Sequence, residues 1–259
     1  QDAITTFNYN HKNSKGICAD LSTLNPEEIE KELNGKNVDL IIGGPPCQGF
    51  SVAGKRIVDD ERNKLYKNFV RFVEYYKPKA FMMENVPNIL SIGEGIVKDS
   101  IVKDFSDLGY NVVYKVLTAS NYGTPQNRRR AVFVGFKDGK EFIFPQRCVE
   151  QLVTSYEALS DLPENSLEDG SEYPINSNCD YQKLMRCNSS KIYNHQITEH
   201  SEKTKEIISL VPDGGNYKNL PLELQQIRKV HIAWTRLNSQ KPSFCVLALL
   251  LLDFLLFQK

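Results

Sequence analysis

Residues 38–46 read Val-Asp-Leu-Ile-Ile-Gly-Gly-Pro-Pro, and this stretch decides the fold that we predict. The apolar run 38–42 has the length of a buried strand, and the glycines and prolines behind it mark a turn. Ahead of it, the run Asn25-Pro26-Glu27-Glu28 predicts a helix start, with an N-cap residue, a first-turn proline and two acids at the positive end of the dipole. The stretch therefore predicts a helix, then a strand, then a tight turn at the carboxyl end of that strand.

The alternation of helix and strand continues beyond this turn. The apolar residues Leu65, Phe69, Phe72, Val73 and Tyr76 repeat at helical spacing until Pro78, and Ala80–Met83 reads as a second buried strand. A third helix is marked by Ile101, Phe105 and Leu108 with Gly109 as its cap, and strands are predicted at 112–117 and 131–136. We therefore expect an α/β fold with a mostly parallel sheet and helices on both faces, where ligands bind beyond the carboxyl ends of the strands.

Length and composition indicate an ordinary globular protein. The 259 residues suffice for one large domain with a small companion, and 41% hydrophobic and 25% charged residues exclude a disordered chain. The 32 Lys and Arg residues balance 32 Asp and Glu residues, so overall charge identifies no partner. After about residue 145 the alternation fades, although an amphipathic helix is predicted after Ser201. We expect a smaller, irregular domain over 146–235.

The sequence also bears on compartment, metal and membrane. The six cysteines form no paired framework and the start of the chain lacks an apolar signal segment, so we expect a cytoplasmic protein with reduced thiols. The residues Cys179, Cys187, His195 and His200 lack the close spacing of zinc ligands, so scattered surface residues are the preferred reading and no metal is expected. The apolar run Phe244–Phe257 is shorter than the roughly 20 residues of a membrane span, so no membrane partner is expected.

Cys47 follows two prolines at the end of the first predicted strand and precedes the loop Gln48–Ser51. Rigid prolines before it and glycines around it suit a positioned, partly exposed nucleophile. A buried structural cysteine is the alternative, since that is the commonest fate of a free thiol. The residues alone leave both readings open.

Glu84 and a basic run are the other candidate functional positions. A carboxylate directly after the apolar run Ala80–Met83 is costly to bury unless it is paired or functional, and partial burial would favour a protonated carboxyl that donates near neutral pH. An ordinary salt bridge or helix cap is the alternative. In the run Gln126-Asn-Arg-Arg-Arg, strand geometry would put Arg128 and Arg130 on one face, where two guanidiniums suit an anion or a carboxylate. A solvated basic face is the alternative there.

Three motifs together closely resemble those of the cytosine-carbon-5 DNA methyltransferase family, in the family's order and at similar spacing. They are Gly43-Gly44-Pro45-Pro46-Cys47-Gln48-Gly49-Phe50-Ser51, Glu84-Asn85-Val86 and Gln126-x-Arg128-x-Arg130. The resemblance extends to about Pro242 and includes the block Thr235-Arg236-Leu237 with Lys241-Pro242-Ser243. It implies a Rossmann-like methyltransferase fold that uses S-adenosylmethionine, with a catalytic domain over 1–145, a target recognition domain over 146–235 and a return segment over 236–259.

The resemblance also implies the chemistry. A cytosine of double-stranded DNA would be flipped out, Cys47 would add to ring carbon 6, and Glu84 would hydrogen-bond ring nitrogen 3. Arg128 would orient the base, and Arg130 would brace the site or a nearby carboxylate. The implied cofactor contacts are Asp20, Leu21, Pro45 and Leu65, and the implied substrate contacts are Pro46, Gln48, Ser51, Asn85, Val86 and Gln126.

The sequence departs from the family at both ends. The family's Phe-x-Gly-x-Gly-Gly loop and its ribose-binding acid are absent, and the pattern decays after Ser243 into a leucine-rich tail. We therefore expect a family member truncated at both ends, of marginal stability, that binds the cofactor poorly. Alternatives are a catalytically defective DNA-binding remnant and an RNA cytosine-5 methyltransferase. The expected setting is a monomer acting on bacterial nucleoid DNA in a restriction-modification role, with a cognate restriction endonuclease acting at the same site.

Overall fold

The computed structural model describes residues 1–46, 65–225 and 234–244. The chain divides into two compact units, the first formed by residues 1–116 with 130–144 and the second by residues 117–129 with 145–259. The helices of the first unit are α1 (Asp2–Asn10), α2 (Pro26–Leu33), α3 (Leu65–Tyr76) and α4 (Ile96–Asp107), with 3₁₀ turns at Pro87–Leu90 and Ile92–Gly95. The strands are β1 (Leu40–Gly43), β2 (Ala80–Asn85), β3 (Asn111–Thr118) and β4 (Arg129–Phe136).

The predicted elements of the first unit are confirmed, with shifted ends. Helix α2 begins at Pro26 behind an Asn25 capping box and ends at Leu33, and the next residue, Asn34, takes the left-handed conformation. Strand β2 runs two residues further than its apolar core, so Glu84 lies inside the strand rather than after it. Gly109 follows α4 with φ 87°, a value that favours glycine.

The four strands form one sheet in the order β1-β2-β4-β3. Strands β1 and β2 are parallel, with Leu40 opposite Ala80, whereas β2 and β4 are antiparallel, with Glu84 opposite Val132. The sheet is therefore mixed, which differs from the mostly parallel arrangement that we expected. The reason is the connection between β3 and β4, which holds only a short 3₁₀ turn at Ala119–Tyr122 and not the long crossover that parallel pairing needs.

One face of the sheet carries the core of the first unit. Phe81 is fully buried, and its ring stacks on that of Phe105 from α4 with centroids 3.9 Å apart. Phe69 from α3 meets both rings edge-on, at 6.2 and 6.1 Å. Gly135 lies opposite Phe81, and a Cβ there would come within 2.1 Å of Phe81 Cε1, so only glycine lets this ring lie flat on the sheet.

The other face carries the even-numbered residues of β2 and is less covered on the side of β1. Leu40 and Ile42 pair with Ala80 and Met82 in register, and both are more than half exposed. Glu84 belongs to this face. Helical cover of the sheet is thus seen on one face, from α3 and α4, within the part of the chain that the structure describes.

The second unit holds short elements around small cores. They are the 3₁₀ turns Ala119–Tyr122 and Tyr217–Asn219, helices α5 (Ser155–Leu159), α6 (Asp180–Arg186), α7 (Glu202–Ser209) and α8 (Leu222–Gln225), and an antiparallel pair of short strands, β5 (Ser171–Glu172) and β6 (Lys191–Ile192). Helix α7 follows Ser201, as predicted, and the side chain of Ser201 caps it by accepting from Thr204 N. Buried Gln182 ties α6 to α5 by donating to Glu157 O at 2.8 Å. Across the three described ranges no helix has the length and apolar character needed to cross a bilayer.

Candidate active site

Glu84 and Arg130 form an ion pair at the end of the sheet where β2 ends and β4 begins. In the antiparallel register Glu84 faces Val132, so Arg130, two residues earlier, is its diagonal neighbour on the same face. Arg130 Nε lies 2.6 Å from Glu84 Oε1, and the two side chains are 21% and 37% exposed. The guanidinium thus fixes one carboxylate oxygen by a charge-assisted hydrogen bond, while the carboxyl remains partly accessible.

Asn85 points to the opposite face and joins two strand ends. Its side chain is buried, with Nδ2 donating to Pro45 O at 2.9 Å and Oδ1 accepting from Val86 N at 2.9 Å. The carbonyl of Pro45 belongs to the turn that follows β1. The amide therefore holds the Gly44–Pro46 turn against the end of β2, next to Glu84, and Val86 beside it is exposed.

Gly43 ends β1 and Gly44 follows it, and the surroundings of the two glycines differ. A Cβ on Gly43 would lie 2.5 Å from Phe69 Cε2 in α3, because β1 passes close to that helix. A Cβ on Gly44 would meet Glu84 Oε2 at 3.6 Å, an ordinary contact. Pro45 is half-buried and Pro46 is exposed. The predicted nucleophile Cys47 comes next, and with Gln48 and Ser51 it lies outside the described residues.

The predicted cofactor contacts Asp20 and Leu21 lie in a short turn before α2. Asp20 Oδ1 accepts hydrogen bonds from Ser22 Oγ at 2.7 Å and from Ser22 N at 2.8 Å, and these bonds lower the pKa of Asp20. Among the described residues no hydrogen bond uses its Oδ2. Leu21 is 50% exposed. An accessible carboxylate oxygen beside an exposed aliphatic side chain suits an adenine, whose amine needs an acceptor and whose ring needs apolar contact, so these residues fit the expected cofactor.

Leu65, the fourth predicted cofactor contact, is the first residue of α3 and is partly buried. The next two residues secure this end of the helix. Tyr66 Oη donates to Asp104 Oδ2 at 2.8 Å, and Lys67 Nζ donates to the same oxygen at 2.5 Å. The start of α3 is thereby held to α4.

Gln126 and Arg128 belong to the second unit. Gln126 forms a parallel bridge with Ser243, Asn127 N donates to Ser243 O at 2.7 Å, and Ser243 N donates to Pro125 O at 2.8 Å. The backbone carbonyl of Arg128 accepts from Ala119 N at 2.9 Å. The segment around Gln126 is therefore held by the Lys241–Ser243 block, which the resemblance had picked out.

Sequence reasoning missed Arg71, whose side chain holds the Asp20 turn. Its Nη2 donates to Leu21 O at 2.6 Å and to Leu24 O at 2.8 Å. The available signal was an arginine within the apolar stripe of α3, between Phe69 and Phe72.

The four candidate zinc ligands have other contacts or separate positions. Cys179 Sγ contacts Glu157 O at 3.3 Å, and His195 Nε2 contacts Pro163 O at 2.9 Å. Within residues 1–46, 65–225 and 234–244, no three His, Cys, Asp or Glu side chains come together in a group that could hold a metal ion.

Known proteins resemble this chain over most of its length. The profile of the C-5 cytosine-specific DNA methylase family matches residues 1–241. The type II methyltransferase M1.HphI of Haemophilus parahaemolyticus is 37% identical over 93% of this chain and 60% of its own length. The type II methyltransferase M.DdeI of Desulfomicrobium norvegicum is 38% identical over 88% of this chain and 57% of its own length. The chain thus spans about three fifths of these curated relatives.

A solved structure gives the same answer for the fold. It is a crystal structure of a protein assigned as a DNA modification methyltransferase, encoded within a prophage of E. coli, and it is 28% identical. The match has a TM-score of 0.69 and covers 94% of this chain and 72% of that one. The predicted Rossmann-like methyltransferase fold is confirmed. By the family profile, the two relatives and this structure, the chain belongs to the family of C-5 cytosine-specific DNA methylases.

Proposed function

We propose that this protein transfers a methyl group from S-adenosylmethionine to carbon 5 of a cytosine in double-stranded DNA. The observation that carries the proposal is the Glu84–Arg130 pair, at 2.6 Å, beside the turn that Asn85 holds and that leads directly to Cys47. A thiol, a partly accessible carboxyl and a guanidinium in one family motif set supply what cytosine needs, since its carbon 5 must be activated before it accepts a methyl group.

In the first step the thiolate of Cys47 adds to ring carbon 6, and the electron pair of the carbon 5–carbon 6 double bond becomes available at carbon 5. Glu84 in its protonated form, oriented by Arg130, donates a hydrogen bond to ring nitrogen 3 and stabilises the charge that develops on the ring. When bound, S-adenosylmethionine would supply the methyl group that carbon 5 takes up, and the remainder would leave as S-adenosylhomocysteine. Loss of the carbon 5 proton to a base and expulsion of the Cys47 thiolate then restore the double bond and the aromatic ring.

The other predicted site residues have binding roles in this proposal. Asp20 and Leu21 would hold the adenine, and Pro45 and Leu65 would line the rest of the cofactor site. Pro46, Gln48, Ser51, Val86 and Gln126 would position the target nucleotide, with Arg128 orienting the base. Asn85, whose side chain is buried, would act indirectly by holding the segment around Pro45. The cytosine must leave the duplex stack to be reached, so we include base flipping in the proposal.

We further propose that residues 146–235 form the target recognition domain and that the protein acts as a monomer in a restriction-modification setting. Its relatives are named type II methyltransferases, which supports a bacterial DNA-marking role and a cognate restriction endonuclease at the same site. A DNA substrate would bring the protein to the nucleoid in the cytoplasm.

Methyl transfer from radiolabelled S-adenosylmethionine to unmethylated genomic DNA tests the proposed function. The gene product should label the DNA, nucleoside analysis should find the label in 5-methylcytosine, and bisulfite sequencing should place it in one short sequence. DNA retention without transfer would indicate a non-catalytic remnant, and labelling of RNA alone would indicate an RNA enzyme. Either result would contradict the proposal.

A further inference from the structure

The Arg71 side chain donates its hydrogen bonds to the backbone of a turn rather than to a charged partner. One guanidinium nitrogen, Nη2, donates to two carbonyl oxygens, Leu21 O at 2.6 Å and Leu24 O at 2.8 Å. These residues are about 50 positions away in the sequence, so the contact fixes α3 to the segment before α2. A guanidinium suits this contact because it stays charged and its donors have a fixed geometry.

The segment that Arg71 contacts, residues 20–24, is a tight turn with its own hydrogen bonds. Asp20 O accepts from Thr23 N at 3.1 Å and from Leu24 N at 2.9 Å, and Ser22 bonds the Asp20 carboxylate. These bonds set the shape of the turn but do not tie it to the rest of the unit. Arg71 supplies that tie through the carbonyls, while the Asp20 carboxylate and the Leu21 side chain stay accessible.

The helix that carries Arg71 is itself held in place by buried neighbours and a hydrogen bond to α2. Arg71 lies in α3 between Phe69 and Phe72, which are buried, and Tyr76 Oη, further along α3, donates to Pro26 O at 2.6 Å at the start of α2. The Nε atom of Arg71 is buried and has no hydrogen-bond partner among the described residues. A buried donor left unpaired lowers the stability of the fold. The two hydrogen bonds that Arg71 makes to carbonyls must offset this loss.

We propose that Arg71 is a positioning residue for the adenine of the cofactor, acting through the backbone of residues 20–24. The inference rests on the proposed function, which assigns Asp20 and Leu21 to S-adenosylmethionine. With Arg71 in place, the Asp20 acceptor and the Leu21 side chain are preorganised, and binding does not have to order the turn. Without it, the turn loses its fixed position, and its internal hydrogen bonds open more often.

The test compares Arg71→Met and Arg71→Lys with the control Lys103→Met, which removes an exposed α4 side chain that pairs with Asp107. Hydrogen exchange followed by mass spectrometry reports on the Thr23 and Leu24 amides without any cofactor. Arg71→Met should speed their exchange about tenfold, while the peptide covering 80–85 and the control stay unchanged. A general loss of stability would instead speed exchange both at Thr23 and Leu24 and in the peptide covering 80–85.

Calorimetric binding and steady-state kinetics supply the second readout. Arg71→Met should raise the Kd and KM for S-adenosylmethionine about tenfold and change kcat less than about twofold, because the residue acts on binding rather than on the reacting atoms. Arg71→Lys should recover part of the loss, since an ammonium can still donate to a carbonyl.

Two failures are distinguishable. If the wild-type gene product binds S-adenosylmethionine and Arg71→Met binds it with the same Kd, the positioning role is overturned and the proposed function stands. If the wild-type gene product binds no S-adenosylmethionine, the proposed function fails and the inference fails with it. A fall in kcat with an unchanged KM would also overturn the inference.

Discussion

Arg130 Nε lies 2.6 Å from Glu84 Oε1, across a diagonal of the antiparallel pair formed by β2 and β4. The contact depends on register, because a one-residue slip would turn Arg130 to the opposite face of the sheet. In the proposed mechanism it presents the Glu84 carboxyl to cytosine nitrogen 3. The pair therefore links the fold of the sheet to the chemistry.

Glu84→Gln should lower methyl transfer by about 100-fold or more, because general acid catalysis by a positioned carboxyl contributes a factor of that size. DNA binding should change little, as the carboxyl acts on the reacting ring. Single-turnover methyl transfer measures the effect. The matched control is Glu141→Gln at an exposed position of the same unit, which should keep wild-type activity. Full activity in Glu84→Gln would remove Glu84 from the mechanism.

Asn85→Ala should destabilise the protein by about 1–3 kcal/mol, because it leaves the Pro45 carbonyl without the amide that bonds it at 2.9 Å. Urea unfolding measures the free energy of unfolding. Asn88→Ala, at an exposed position three residues on, should cost less than about 0.5 kcal/mol. Equal losses in the two variants would show that the buried amide does not hold the turn.

Gly43→Ala and Gly44→Ala should differ in stability although the residues are adjacent. The new Cβ at Gly43 would stand 2.5 Å from the buried ring of Phe69, whereas the new Cβ at Gly44 would meet Glu84 Oε2 at 3.6 Å. Overpacking at Gly43 should cost about 1–3 kcal/mol. Thermal unfolding of both variants checks this, and a Gly43→Ala protein as stable as Gly44→Ala would contradict the close approach of α3 to β1.

Tyr110 should make stability sensitive to alkaline pH. Its hydroxyl donates to Pro78 O at 2.7 Å, and burial raises the pKa of Tyr110 to about 12. The unfolded chain ionises near pH 10, so the contribution of the hydroxyl is complete below about pH 10 and is lost as the pH rises towards 12. Urea unfolding of wild type and Tyr110→Phe should show a difference at pH 8 that shrinks by pH 11. A constant difference would contradict this assignment.

Local signals in the sequence predicted much of the first unit. The Asn25 cap and Pro26 placed α2, and the apolar run before Gly43 placed β1, because each signal acts within a few residues. The direction of the strands was harder to predict from the sequence, since the pairing of β2 with β4 depends on which strands become neighbours. The Glu84–Arg130 pair follows from that register, so the motifs could suggest the partners but not the diagonal contact.

The contacts of Arg71 could not be predicted from the sequence. An arginine within an apolar helical stripe signals a buried partner, but two backbone carbonyls about 50 residues away leave no trace in residue type. The arginine run was also only partly readable. Strand β4 begins at Arg129, so Arg128 precedes the strand on which we had expected it to share a face with Arg130.

In the proposed mechanism Cys47 attacks a cytosine of DNA, and trapping on DNA that contains 5-fluorocytosine tests this step. Fluorine at carbon 5 cannot leave as a proton does, so the adduct should persist. With S-adenosylmethionine present, the gene product should form a complex that survives denaturing electrophoresis and whose modified peptide contains Cys47. Cys47→Ser should form none, and Cys148→Ser, at an exposed free cysteine, should form as much as wild type. A wild-type protein that methylates DNA without forming this adduct, or forms it through another residue, would contradict the account.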